Sequence, residues 1–194
     1  EAALAALEEQ IELAPDDAAR CDLHIDRASL LERDLHAPGR AVHAYQQALE
    51  LAGSPRRDEI LVELDRLTTL LGRPHERAEI LEARLQTATG EAANELRRSL
   101  ATLYCVELAR PAEALPHLEA RLEVARDGGQ NEMDALVALD AALRASGRLD
   151  AWVPIAEREL ELIDEDLTLG ANTPSEFKRY LREERLGAPA EQQV

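Results

Sequence analysis

Two soft metal ligands, Cys21 and His24, stand three residues apart. On a helix that spacing puts both on one face, where they could hold zinc with two further ligands. Folding could bring in His43, but nothing else clusters at ligand spacing. The plainer reading makes Cys21 a small packed residue and leaves His24 at a helix surface. His36, His75 and His117 fall in or near turns and second helices, where turn and surface roles account for them. The double glycine Gly128-Gly129 runs into Gln130-Asn131-Glu132, with no lysine to complete a phosphate cradle, and reads as a joining turn. No Gly-x-Ser-x-Gly elbow is present. Carboxylate pairs at helical spacing are numerous, as chance requires with 39 acidic residues. Acid–base work would need a pocket that drives two of them apart in pKa. The expectation is therefore no enzyme, no cofactor and no metal.

The charge balance points to partners instead. Against those 39 acidic residues stand 22 basic ones, leaving a net charge of -17. Such a field repels phosphate backbones and anionic membrane surfaces, so neither nucleic acid nor membrane is expected, and it favours a basic protein or peptide. It also serves solubility. Two cysteines far apart, Cys21 and Cys105, make no disulfide framework, and a reducing cytoplasm is the expected setting. No apolar run nears the ~20 residues of a membrane span. Opening on Glu1, the chain reads as part of a larger protein.

The elements that must position any site follow from a repeat. Leu81-Glu-Ala-Arg-Leu85 recurs as Leu118-Glu-Ala-Arg-Leu122, with looser copies ending at Ile11, Leu49 and Leu160. The five end residues are spaced by 38, 36, 37 and 38, a period of stacked helix pairs. Seven residues before them stand Leu4, Val42, Ala78, Leu115 and Val153, and four before them Leu7, Tyr45, Leu81, Leu118 and Ala156. Those offsets share one helical face and define the second helix of each pair. In register ahead of it lie the turns His36-Ala37-Pro38, Gly72-Arg73-Pro74, Ala109-Arg110-Pro111 and Gly147-Arg148-Leu149. Glycine suits a left-handed helix end, and proline the first turn of the next helix. The first helix points Ala28, Leu64, Ala101 and Leu139 inward, then Leu31, Leu67, Tyr104 and Ala142, then Ile25, Leu61 and Leu136 with Arg98 as the departure.

Ten helices result. A lone second helix covers about residues 1–14, four pairs run to about Glu165, and a tenth helix starts after Asn172-Thr-Pro-Ser-Glu176. Residues 1–165 form the array. Residues 166–194 are expected to form a linker, a helix and a short tail; the helix either caps the array, with Phe177 and Tyr180 docking near Trp152, or opens a further pair or binds a partner.

The segment Ala41-Val-His-Ala-Tyr45-Gln-Gln-Ala48 resembles the second helix of a tetratricopeptide repeat, and the Gly-Arg-Pro turns fit that pattern. The resemblance covers roughly residues 1–165. It departs from the family in its longer period and in lacking the Trp and Gly signature of the first helix. It implies an all-α, right-handed α–α superhelix and a non-catalytic scaffold whose first helices line a concave groove for a partner protein or peptide. Carried over, the groove-facing candidates are Asp26, Arg33, Glu59, Arg66, Ser99, Asp134 and Arg144. The family's carboxylate clamp is not matched, since Asp26, Leu30, Val62, Leu103 and Val137 stand at those positions. A regulatory array that senses a peptide or small signal is the alternative.

Overall fold

The computed structural model describes residues 2–128 and 132–169. The expected tenth helix, with Phe177 and Tyr180, lies outside them. Among the described residues there are nine α-helices and no strand. They are α1 (Ala2–Leu13), α2 (Asp17–Arg33), α3 (Pro38–Leu51), α4 (Ser54–Leu70), α5 (Pro74–Leu85), α6 (Gly90–Thr102), α7 (Pro111–Gly128), α8 (Glu132–Ala145) and α9 (Leu149–Leu169). A five-residue π-helical stretch, Leu103–Glu107, continues α6. The chain divides into two compact units, Glu1–Leu96 and Arg97–Val194, and the division falls inside α6.

In the first unit α2 packs on α3 and α4 on α5, α3 adjoins α4, and α1 lies on α2. Leu31, Leu61, Leu64 and Leu67 are almost fully buried there. Each such leucine contributes about 1.5–3 kcal/mol by leaving water. Close helix approach rests on Ala28, Ala41 and Ala48, which expose no side-chain surface. Asp16 starts α2 by accepting the Ala19 N–H at 2.8 Å. In the second unit α7 and α8 pair, α9 lies on α8, and the π stretch lies on α7. Its core includes Leu115, Leu118, Leu136, Leu139 and Leu143.

The pairs turn alike. His36, Gly72, Ala109 and Gly147 all have positive φ, at 49, 62, 53 and 72°. At the two glycines the helix closes tightly. The Gly72 N–H donates to the Thr69 carbonyl and the Arg73 N–H to that of Thr68, and Gly147 and Arg148 repeat this with Arg144 and Leu143. At His36 and Ala109 the closure is one residue wider, with Ala37 donating to Leu31 and Arg110 to Tyr104. Pro38, Pro74 and Pro111 then open the second helices.

Two positions expected inward and one expected at a helix surface are corrected. The π stretch shifts the register by a residue, so Leu103 is buried and Tyr104 is only half-buried, its ring stacked 5.9 Å from that of His117. In α9, Val153 is 43% exposed, because the neighbouring Trp152 turns inward and takes the space. His24 is buried rather than on a helix surface. Pro116 and Pro154, 38 residues apart, stand inside α7 and α9 on exposed sides, where a helix can bend without losing its core contacts.

Candidate functional site

The first helices carry a position that periodicity alone passes over. Seven residues before each left-handed turn residue stand Ser29, Asp65, Thr102 and Asp140, small polar side chains on an otherwise aliphatic face. Two of them tie the first helix to the second. Asp65 accepts from Arg77 Nε at 3.0 Å and from Arg84 Nη1 at 2.5 Å. Asp140, 3% exposed, accepts from Trp152 Nε1 at 2.5 Å and from Arg144 Nε at 2.9 Å. The Arg144 guanidinium also lies 5.4 Å from the Trp152 ring centroid, a cation–π contact. Thr102 instead bonds the Arg98 carbonyl of its own helix at 3.0 Å. These links tie α4 to α5 and α8 to α9.

Between first helices lie two pockets. The one in the first unit, about 380 Å³, is lined by Ile25 of α2, Tyr45 of α3, and Arg56, Glu59, Ile60, Val62 and Glu63 of α4. Two ion-pair groups bridge α2 and α4 around it. Arg56 reaches Asp22 at 2.6 Å and Glu59 at 2.9 Å, and Arg66 reaches Glu32 at 2.7 Å and Glu63 at 2.8 Å. The bond from Arg66 holds the Glu32 carboxyl below its ordinary pKa, and the paired carboxylates raise that of both arginines.

The second unit's pocket is also about 380 Å³. Its α8 wall is Ala138, Ala141, Ala142 and Ala145, and the π stretch contributes Cys105 and Val106. Leu118 lies in it at the position that Tyr45 holds in the first pocket. Arg98 and Arg121 are its cations. The alanines are legible in sequence only as good helix formers; their role as a hollow wall depends on what faces them.

Of the residues carried over from the resemblance, only Glu59 lines either pocket. Arg66 borders the first through Glu63. Asp26 is exposed on α2 beside the lining residue Ile25. Arg33 is exposed in the last turn of α2 and Asp134 in the first turn of α8. Ser99 is half-buried on α6, and Arg144 is engaged by Asp140 and Trp152.

The chemistry-bearing groups are quiet. Cys21 is buried, its thiol donating to the Ala48 carbonyl at 3.4 Å. Burial raises the pKa of both Cys21 and Cys105, which keeps them as thiols. Burial first, then the two arginines Arg27 and Arg20 together with His43, push the pKa of His24 down. Among the described residues no three His, Cys, Asp or Glu side chains are placed to share a metal ion. No helix among them is long and apolar enough to cross a membrane.

These paired helices, joined by left-handed turns at a period of 36–38 residues, define an all-α fold of repeated helix pairs. No protein-family model matches the sequence, and no curated protein matches it. Solved structures do show similarity. YrrB, a TPR protein with an unusual peptide-binding site, is 23% identical over 80% of this chain and 74% of its own, with a TM-score of 0.45. Nearly identical TPR-like repeats from Podosopora anserina are 17% identical over 84% and 87%, at 0.49. MamA is 14% identical over 84% and 88%, at 0.45.

Proposed function

We propose that this chain is a non-catalytic scaffold that holds a partner protein or peptide against the faces of its first helices. The observation that carries the reading is the pair of pockets, each walled by successive first helices and floored by an equivalent second-helix residue, Tyr45 or Leu118. Pockets of this kind suit side chains projecting from a bound segment. The net charge of -17 favours a basic partner through steering and complementarity.

The reading is tested by affinity capture with the whole chain as bait, at low and at moderate salt. Two variants fill the pockets, Val62→Trp and Ala141→Trp. Both positions are exposed and line a pocket, so the fold has room for the larger ring. A partner retained by the parent chain and lost from at least one variant is the expected result. A partner held equally by both variants, or none at either salt, would count against first-helix binding.

A further inference from the structure

We infer that the groove between α2 and α4 takes a lysine- or arginine-bearing segment of a partner, with the aliphatic stem of that side chain on the apolar floor and its cation at the acidic rim. The inference rests on the scaffold reading and names the partner chemistry of one of its pockets. Two observations on the same groove point the same way. The first is shape and polarity: Ile25, Tyr45, Ile60 and Val62 give the pocket an apolar lining, and Val62 is still 47% exposed. The second is charge. Five carboxylates, Asp22, Asp26, Glu32, Glu59 and Glu63, border the groove. Its two guanidiniums, Arg56 and Arg66, are each already shared between two of them.

Asp26 is the centre of the imbalance. It sits one helical turn from Asp22, next to the lining residue Ile25, is exposed, and forms no ion pair among the described residues. Arg27, the adjacent residue, is engaged by Glu8 and Gln47, each at 3.2 Å, and Arg33 lies two turns further on; neither is part of the lining. An incoming acidic segment would meet this excess as repulsion. A purely apolar one would cover exposed carboxylates and leave them without water or partner, at a cost. A long basic side chain avoids both penalties, because it carries an apolar stem and a charged head in one residue. Arginine and lysine both meet these demands; a planar guanidinium could also engage two carboxylate oxygens.

The test uses the full chain and a short fluorescein-labelled peptide of alternating leucine and lysine, with its leucine–glutamate counterpart as control, read by fluorescence anisotropy. Asp26→Lys reverses the charge at the groove. Glu50→Lys makes the same change to net charge on an exposed position of α3. Far-ultraviolet circular dichroism confirms that both variants are folded. The expected result is that the leucine–lysine peptide binds the parent chain. Asp26→Lys weakens it by about tenfold, Asp26→Asn by less, and Glu50→Lys by under about twofold. Equal weakening by Asp26→Lys and Glu50→Lys would show attraction to the overall field and overturn the inference, as would equal binding of the leucine–glutamate peptide or no binding of either. A captured natural partner insensitive to Asp26→Lys but lost from Ala141→Trp would leave the scaffold reading standing and remove this one.

Discussion

At the scale of single residues, His24 shows how one buried side chain makes the fold answer to pH. Burial and three neighbouring cationic or titratable groups, Arg27, Arg20 and His43, lower its pKa from the ordinary 6.5. In the unfolded chain the imidazole takes up a proton as pH falls through 6.5, while in the folded chain it resists. The unfolded state therefore binds more protons in that window, and stability declines as pH drops below 6.5 until the folded value is passed. Urea titrations at pH 7.5 and pH 5.5 should show a lower midpoint at the acid pH. His24→Gln should shrink that difference without altering the carboxylate-driven loss at lower pH. An undiminished difference in the variant would assign the effect elsewhere. Trp152 and Asp140 make the complementary case. A polar residue within an aliphatic face stays buried because a hydrogen bond and an adjacent guanidinium satisfy it.

At the scale of elements, the turns show two solutions to one geometric demand. Every first helix ends on a residue with left-handed φ, and two of the four are not glycine. A Cβ added at Gly72 would meet nothing within 4 Å, so any cost of substitution there comes from the backbone. Gly72→Ala should lower stability by about 1 kcal/mol, set by the left-handed penalty of an L-residue. Ala109→Gly should raise it by a few tenths to about 1 kcal/mol, the gain partly offset by the freer unfolded glycine. Thermal melts of the two variants should move in opposite directions, and a fall for Ala109→Gly would refute the account. The π stretch before Ala109 belongs to the same story. The helix widens to reach a left-handed turn one residue later, and Leu103 replaces Tyr104 at the core.

At the scale of the whole molecule, the balance of charge dominates. Many of its ion pairs are exposed, such as Arg20 with Asp17 and Arg126 with Glu123, and pairs of that kind contribute about 0–1 kcal/mol each. The excess acidity of a chain at -17 acts against compaction everywhere. Raising salt from low ionic strength to about 0.15 M screens the long-range repulsion over roughly 8 Å while weakening contact pairs less. The melting temperature should therefore rise over that range. A fall would mean that the pairs outweigh the repulsion.

How much of this was legible in the residue string depends on the range of the interaction behind it. Among the described residues the helices, their pairing and the turn positions came through because they rest on local rules. A period of 3.6 sets a face, glycine or proline marks an end, and a repeat near 37 multiplies the signal until chance is excluded. The acidity was equally plain, since net charge is additive. Side-chain fates that depend on a neighbour from another helix were hidden. Nothing within α9 says that Trp152 rather than Val153 turns inward until Asp140 of α8 stands opposite. The burial of His24 and the one-residue slip at Leu103 have the same origin. The pockets are the extreme case. Four alanines spell only a helix, and become the wall of a cavity when α6, the π stretch and α7 are set against them. Local periodicity thus determined the hairpins and the sign of the field, while tertiary packing decided which surfaces stayed hollow, because empty space is a property of facing elements and not of any one of them.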